Sequence, residues 1–493
     1  MGEDFFRKKI TAQYPFFASA CIVYAIFFIV CLYKNGSGIT FPVWAAGTCF
    51  FAVLMMKKAD MDVRKGSIFY IAAICLLGVS TCLTGDRRII CMNKWLIFFL
   101  MIMLLLINFY DVSKWNPAKF IANMFCTVFF SLGCMPRPFS DRVIYRRDTA
   151  SEGTKEKKHI AKYIFIGLGI CVPIVAVILV LLANADEIFA EQIRKIIEDI
   201  SFWGIVGDLT KISIIGFNIF MVAYIWFSWL GKREYSEAKE RKGGWEPIIG
   251  ITVTAALSLV YIIFCWIQVR YLFVGGVSKA SLPEGVIYST YARTGFFQLL
   301  FVSVINIGLV MVGIYCFREN KALKGLLCLI TACTYIMIAS SAMRMLMYIQ
   351  GKYLTFLRIF VLFSLLVIAL VLAGVIVNIF KKDFKLFKYS FAVITVCYVL
   401  FSFSRPDYWI AKVNTDNMTV EGQYEFFKDT PVFDDSMYLA KNLGTDAAPI
   451  LLTRDCLPYK EAQRYYDSME KTVEKLNARR LNLSWYLAWY YME

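Results

Sequence analysis

Arg344 and Arg358 stand at the edges of two apolar runs in the stretch "SSAMRMLMYIQGKYLTFLRIF". A charge so close to hydrocarbon is costly to hold there. A guanidinium offers N–H donors in a planar fork that matches the oxygens of phosphate or carboxylate. Two further arginines occur in comparable short motifs, Arg293 in "YSTYARTGFFQ" and Arg405 in "SRPDYWIAKVN". With Tyr291, Tyr348, Asp208 and Asp407 they form the candidate ligand-binding set, an outward-facing anion site. Two structural readings stand beside it. Long cationic side chains at span ends can reach headgroup phosphates and need no other partner. Alternatively, Asp186, Glu187, Asp208 or Asp407 pair with the arginines and lock the C-terminal tail onto the helices. The same carboxylates could serve as a base or as metal ligands, but no specific paired-carboxylate motif is present, and no catalytic residue is assigned.

The elements that carry these residues follow from composition. The 493 residues are 59% hydrophobic and 18% charged, and several runs approach or exceed the ~20 residues that cross a bilayer. Runs such as "YIFIGLGICVPIVAVILVLLA" contain no charge. In hydrocarbon a segment must satisfy its own backbone hydrogen bonds, so these runs are helices. Eleven spans are expected: Pro15–Leu32, Pro42–Met56, Ile68–Leu83, Lys94–Tyr110, Lys162–Ala183, Ile205–Leu230, Pro247–Phe273, Gly295–Phe317, Leu323–Ala342, Phe356–Phe380 and Phe384–Phe403. A further segment, "NPAKFIANMFCTVFFSLG", has Lys119, Asn123, Thr127 and Ser131 every four residues and apolar side chains around the rest. That pattern suits an amphipathic helix in the membrane interface.

Charge sets the expected orientation. Cytoplasmic loops carry the Lys/Arg excess. The N-terminus, Lys57–Lys65, Asp111–Ala161, Lys232–Lys242, Arg318–Lys324 and Lys381–Lys388 are the basic regions. Eleven spans with the striped helix on the surface place all six on one side; twelve do not. The expectation is a multi-pass protein of the inner (cytoplasmic) membrane, with the N-terminus cytoplasmic and the tail extracytoplasmic. The net charge of +16 is then mainly an orientation signal toward anionic lipid headgroups. No nucleic-acid-reading element accompanies it.

The tail differs in kind. Residues 404–493 hold eleven Lys/Arg and fourteen Asp/Glu, with cap signals in "DDSMYLAKNLG" and charge pairs at helical spacing in "YKEAQRYYDSMEKTVEKLNARR". The fold expected is all-α: a polytopic transmembrane bundle with one interfacial helix and a small helical C-terminal extramembrane domain. Its parts are a four-span segment (1–110), a basic cytoplasmic segment (111–161), a seven-span core (162–403) and the tail (404–493). Nearly all of the fifteen cysteines lie inside the hydrophobic runs and are read as small apolar residues; only Cys456 lies clearly in a soluble segment. His159 is the one histidine and no CxxC pair occurs. No metal site and no cofactor are expected.

The runs "LLANADEIFAEQI", "YARTGFFQLL", "SSAMRMLMYIQGKYLTFLRIFV" and "SRPDYWIAKVNTD" resemble recurrent motifs of bacterial multi-pass membrane proteins of domain-of-unknown-function types 4153 and 4173. The resemblance covers residues from about 160 onward and implies an inner-membrane protein with a C-terminal extramembrane segment. It implies no activity. The residues favour a non-enzymatic envelope protein whose partners are membrane lipids and an anionic lipid or polymer, or another protein, at the outer face. The alternatives are an integral-membrane transferase or hydrolase on a lipid-linked substrate, and a transporter. Against the transporter stand the absence of a carboxylate deep in any span and of a phosphate-binding "GxxxxGK[ST]" loop.

Overall fold

The computed structural model describes residues 8–110, 112, 117–149, 191, 204–232, 244–270, 288–351, 353–381, 384–418, 435–454 and 457–493. Among them the regular structure is helical, with one isolated bridge between Trp245 and Phe317. The helices are α1 (Tyr14–Leu32), α2 (Thr40–Lys58), α3 (Ser67–Leu83), α4 (Arg87–Phe109), α5 (Pro117–Phe129), α6 (Arg137–Thr149), α7 (Gly204–Lys232), α8 (Pro247–Gln268), α9 (Tyr288–Cys316), α10 (Lys321–Gly351), α11 (Phe356–Phe380), α12 (Leu386–Ser402), α13 (Pro406–Met418), α14 (Asp435–Asn442), α15 (Ala448–Leu451), α16 (Tyr459–Val473) and α17 (Leu483–Met492). Eight of them (α1, α2, α4 and α7–α11) are long and apolar enough to cross a membrane. The pair α12–α13, bent by 56°, passes the same test when joined, and α3 is a shorter apolar helix. Nine of the expected spans fall among the described residues and a tenth, Pro247–Phe273, does so up to residue 270; each is helical over most of its described length. The eleventh, Lys162–Ala183, lies outside them.

The chain divides into two compact units. The first comprises residues 1–36, 40–75 and 98–236. Here α1 and α2 pack through the stacked rings of Tyr24 and Phe51, whose centroids are 4.4 Å apart, and Phe51 meets Phe227 of α7 edge-on. In the α5 segment Asn123, Thr127 and Ser131 are buried, while Phe125, Phe129 and Phe130 are exposed. The polar stripe thus faces the protein and the phenyl rings face outward. Such an orientation is the favourable one against an apolar exterior. Asp208 accepts from Tyr33 Oη at 3.0 Å and from Lys34 Nζ at 2.7 Å.

The second unit comprises residues 37–39, 76–97 and 237–493. Its core runs between α9, α10 and α11 through Phe296, Val310, Leu327, Ile330, Leu365 and Leu372. Buried among these apolar side chains, Asn306 accepts from Tyr261 Oη at 2.7 Å and donates to Thr334 Oγ1 at 2.9 Å. One amide thereby joins α8, α9 and α10, satisfied on both its polar ends as an apolar surround requires.

Candidate functional site

Four short connections meet at one end of the second unit: the α3–α4 turn, the α10–α11 link, the α12–α13 bend and the segment around Gly444. The α3–α4 turn reads "LTGDRR". Asp86 caps α4, its Oδ1 accepting from Arg88 N at 2.8 Å, so one of the helix's unpaired N–H groups is satisfied. The Asp86 carboxylate also takes Arg88 Nε at 2.9 Å and Nη2 at 3.0 Å, a two-pronged pair. Arg88 Nη2 reaches on to Asp407 Oδ1, and Asp407 Oδ2 accepts from Gly444 N at 2.8 Å. Asp86 and Asp407 are 2% and 1% exposed, so two carboxylates withdrawn from water share one guanidinium. That guanidinium lies 4.1 Å from the centroid of the Phe356 ring, at the first residue of α11.

A second carboxylate anchors the tail to the same turn. Asp446 accepts from Thr84 Oγ1 and, at 3.2 Å, from Gly85 N. Thr445 Oγ1 and Ser484 Oγ are 2.6 Å apart. Asn482 caps α17 by accepting from Ser484 N and Trp485 N, and its amide donates to the carbonyls of Ser37, Thr81 and Thr84 at 3.0–3.3 Å. Approach is close enough that a Cβ on Gly85 would overlap Thr445 Oγ1 and stand 2.8 Å from Ser484 Oγ. Tyr465 is fully buried beneath this contact and donates to Gly444 O at 2.9 Å. Burial pushes its phenol well above the ordinary tyrosine range, helped by the nearby Asp407 and Asp446 carboxylates. At the bend, Arg405 holds a φ of 49° immediately before Pro406 and donates from Nη2 to Leu83 O at 3.1 Å. A left-handed backbone is unfavourable for arginine, and this hydrogen bond to the α3 end helps to hold it.

The α10–α11 link joins the same region. Leu354 N donates to Asn414 Oδ1 at 2.8 Å and Asn414 Nδ2 returns to Leu354 O at 2.9 Å, a reciprocal pair that clamps the link to α13. Arg358 projects from the first turn of α11 with its guanidinium 4.2 Å from the Tyr348 ring centroid and 4.9 Å from that of Tyr353. The Tyr353 ring in turn lies 5.5 Å from Tyr438 of α14. Burial raises the Tyr438 phenol, opposed by the Phe356 backbone and Arg88. Arg358 is 8% exposed, and its Nη1 is buried with no hydrogen-bond partner among the described residues. Unlike Arg88, it forms no ion pair with any described carboxylate.

Of the expected residues, Arg344, Tyr348, Arg358, Arg405 and Asp407 therefore lie in this unit, on the elements just described. Arg344, one helical turn before Tyr348 on α10, is buried and donates to Gln268 Oε1 of α8 at 3.1 Å; Ser340 Oγ shares that acceptor at 2.6 Å. Tyr291 and Arg293 fall in the first turns of α9, with side chains outside the described part. Asp208 belongs to the first unit and pairs with Lys34. Asp186 and Glu187 lie outside the described residues. Asp407 does pair with an arginine, but the partner is Arg88, from a turn the motif reading passed over. Asp86, Arg88 and Asp446 were the missed residues. The available signals were a Gly-Asp turn followed by two arginines between apolar runs, and a Gly-Thr-Asp in the tail. Among the described residues no group of three or more His, Cys, Asp or Glu is arranged to hold a metal ion.

Residues 71–453 match the family described as Domain of unknown function (DUF4153). The chain belongs to this family. The DUF4153 region starts within α3 and so takes in the "LTGDRR" turn as well as "LGTDAAP", and it reaches much farther toward the N-terminus than residue 160. With its many apolar helices, this DUF4153 protein is a multi-pass membrane protein. No curated protein and no solved structure matches the chain.

Proposed function

We propose that this protein is a non-enzymatic cell-envelope protein that binds an anionic group, the phosphate or carboxylate of a lipid or polymer, at Arg358. The N-terminus is cytoplasmic, and the tail and the Arg358 end of the second unit face outward. One observation carries the reading: a guanidinium buried between two tyrosine rings keeps an N–H donor with no acceptor. Leaving such a donor unsatisfied in a dry site is costly, whereas an oxyanion supplies the acceptor and the counter-charge together. Tyr348 and Tyr353 shape the walls, and Arg344 adds positive charge one turn away on the Tyr348 helix. Because Leu354 is clamped to Asn414, entry of the anion beside Tyr353 shifts a link tied to α13, which relays occupancy to the tail.

The test is binding to the purified full chain in nonionic micelles, with phosphatidylglycerol as the lipid probe and a soluble glycerol-phosphate oligomer as the polymer probe. Native mass spectrometry counts bound lipid, and calorimetry follows the oligomer. Arg358→Gln is expected to weaken the preferred probe by about 10–100-fold, the worth of hydrogen bonds to a charged group. Unchanged affinity for both probes in that variant would sink the anion site.

A further inference from the structure

The tail carries a second binding feature, independent of Arg358. Helices α16 and α17 and the connection between them line an open groove of about 620 Å³, comparable in volume to small-molecule sites. Its walls include Tyr466, Tyr486 and Trp489, and Glu470, Glu474 and Glu493 reach it from the rim. Among the described residues no lysine or arginine lines it, and none of the three glutamates forms an ion pair.

The placement of those glutamates is unfavourable for an empty groove. Glu470 lies in the last turn of α16 and Glu474 is its C-terminal cap, while Glu493 caps the C-terminus of α17. Helix C-termini already carry partial negative charge, and carboxylates there oppose the dipole. Glu470 and Glu474 are also four residues apart on one helix, a repulsive spacing. Two negative helix ends and three carboxylates thus border one open groove lined by aromatic rings. Aromatic faces attract cations, and the attraction strengthens as the cation loses water.

We propose that this groove binds a small organic cation, a protonated amine or quaternary ammonium joined to an apolar body. The ammonium sits among the Glu470, Glu474 and Glu493 carboxylates, and the apolar body stacks on Trp489 and the two tyrosines. The charge complementarity selects a cation, and the volume selects a compact molecule.

Benzyltrimethylammonium is the probe, titrated calorimetrically into the full chain in nonionic micelles, with neopentylbenzene as its uncharged isostere. Saturable binding of the cation is expected, weakened about tenfold by Glu470→Gln/Glu474→Gln and about threefold or more by Trp489→Leu. The two glutamates are exposed and oppose the helix end, so the double variant keeps or raises its thermal midpoint. The proposal is overturned if the cation shows no saturable binding to the unmodified chain. It is equally overturned if the cation and neopentylbenzene bind alike and the double variant changes neither, which would mark the groove as a plain apolar surface.

Discussion

Arg88 and Arg358 are chemically identical and are used in opposite ways. Arg88 joins two buried carboxylates, so its removal leaves Asp86 and Asp407 facing each other without a counter-charge. Arg88→Met is expected to lower stability by about 3–5 kcal/mol, as breaking a buried ion pair does, with the lower part of that range applying because the Arg88 side chain is one-third exposed. Arg358 has no carboxylate to abandon among the described residues. Arg358→Met is expected to leave stability unchanged or to raise it by about 1 kcal/mol. Thermal unfolding of the two variants, followed by size-exclusion in detergent, makes the comparison. Equal destabilisation by both would mean that Arg358 is a structural residue like Arg88. The candidate anion site was legible at this scale only in outline. Arg344 and Arg358 stood out because charges are rare beside apolar runs. Nothing local distinguished the arginine that is paired from the one that is not.

At the scale of elements, the tail is held by geometry as much as by charge. The α3–α4 turn can receive Asp446, Thr445 and Ser484 only because residue 85 has no side chain. Gly85→Ala is expected to cost about 1–3 kcal/mol by overpacking and to loosen the tail while leaving the spans folded. Limited proteolysis reads this out, with cleavage between 404 and 493 accelerating while the membrane fragment persists. Protection equal to that of the unmodified chain would show that the contact yields without cost. The α5 segment illustrates a different point. Its four-residue polar stripe was readable as a helix, but which side it turns to the protein depends on what lies outside. Asn123, Thr127 and Ser131 face inward and Phe125 and Phe129 outward, the arrangement that an apolar exterior favours.

For the whole molecule, the outstanding proposal is orientation. Cys456 lies in the tail, and a membrane-impermeant maleimide is expected to label it in intact cells, with Cys456→Ser as the control for signal from other cysteines. Labelling only after permeabilisation would put the tail and the Arg358 end in the cytoplasm and overturn the outward-facing anion site. The all-α, multi-pass architecture needed no tertiary information. Each apolar run closes its own backbone hydrogen bonds, so its length and lack of charge dictate a helix wherever it packs.

The pairings between distant segments are another matter. Arg88 and Asp407 are 319 residues apart, and Thr84 and Asp446 are 362 apart. Amino-acid types and spacing determined that these positions are polar, that Asp86 can cap a helix and that Arg358 borders an apolar run. Only the packing of α3, α4, α10–α13 and the tail decided which guanidinium meets a carboxylate and which is left with a donor to spare. A side chain's partner across such separations depends on the register and rotation of whole helices, which no local periodicity encodes.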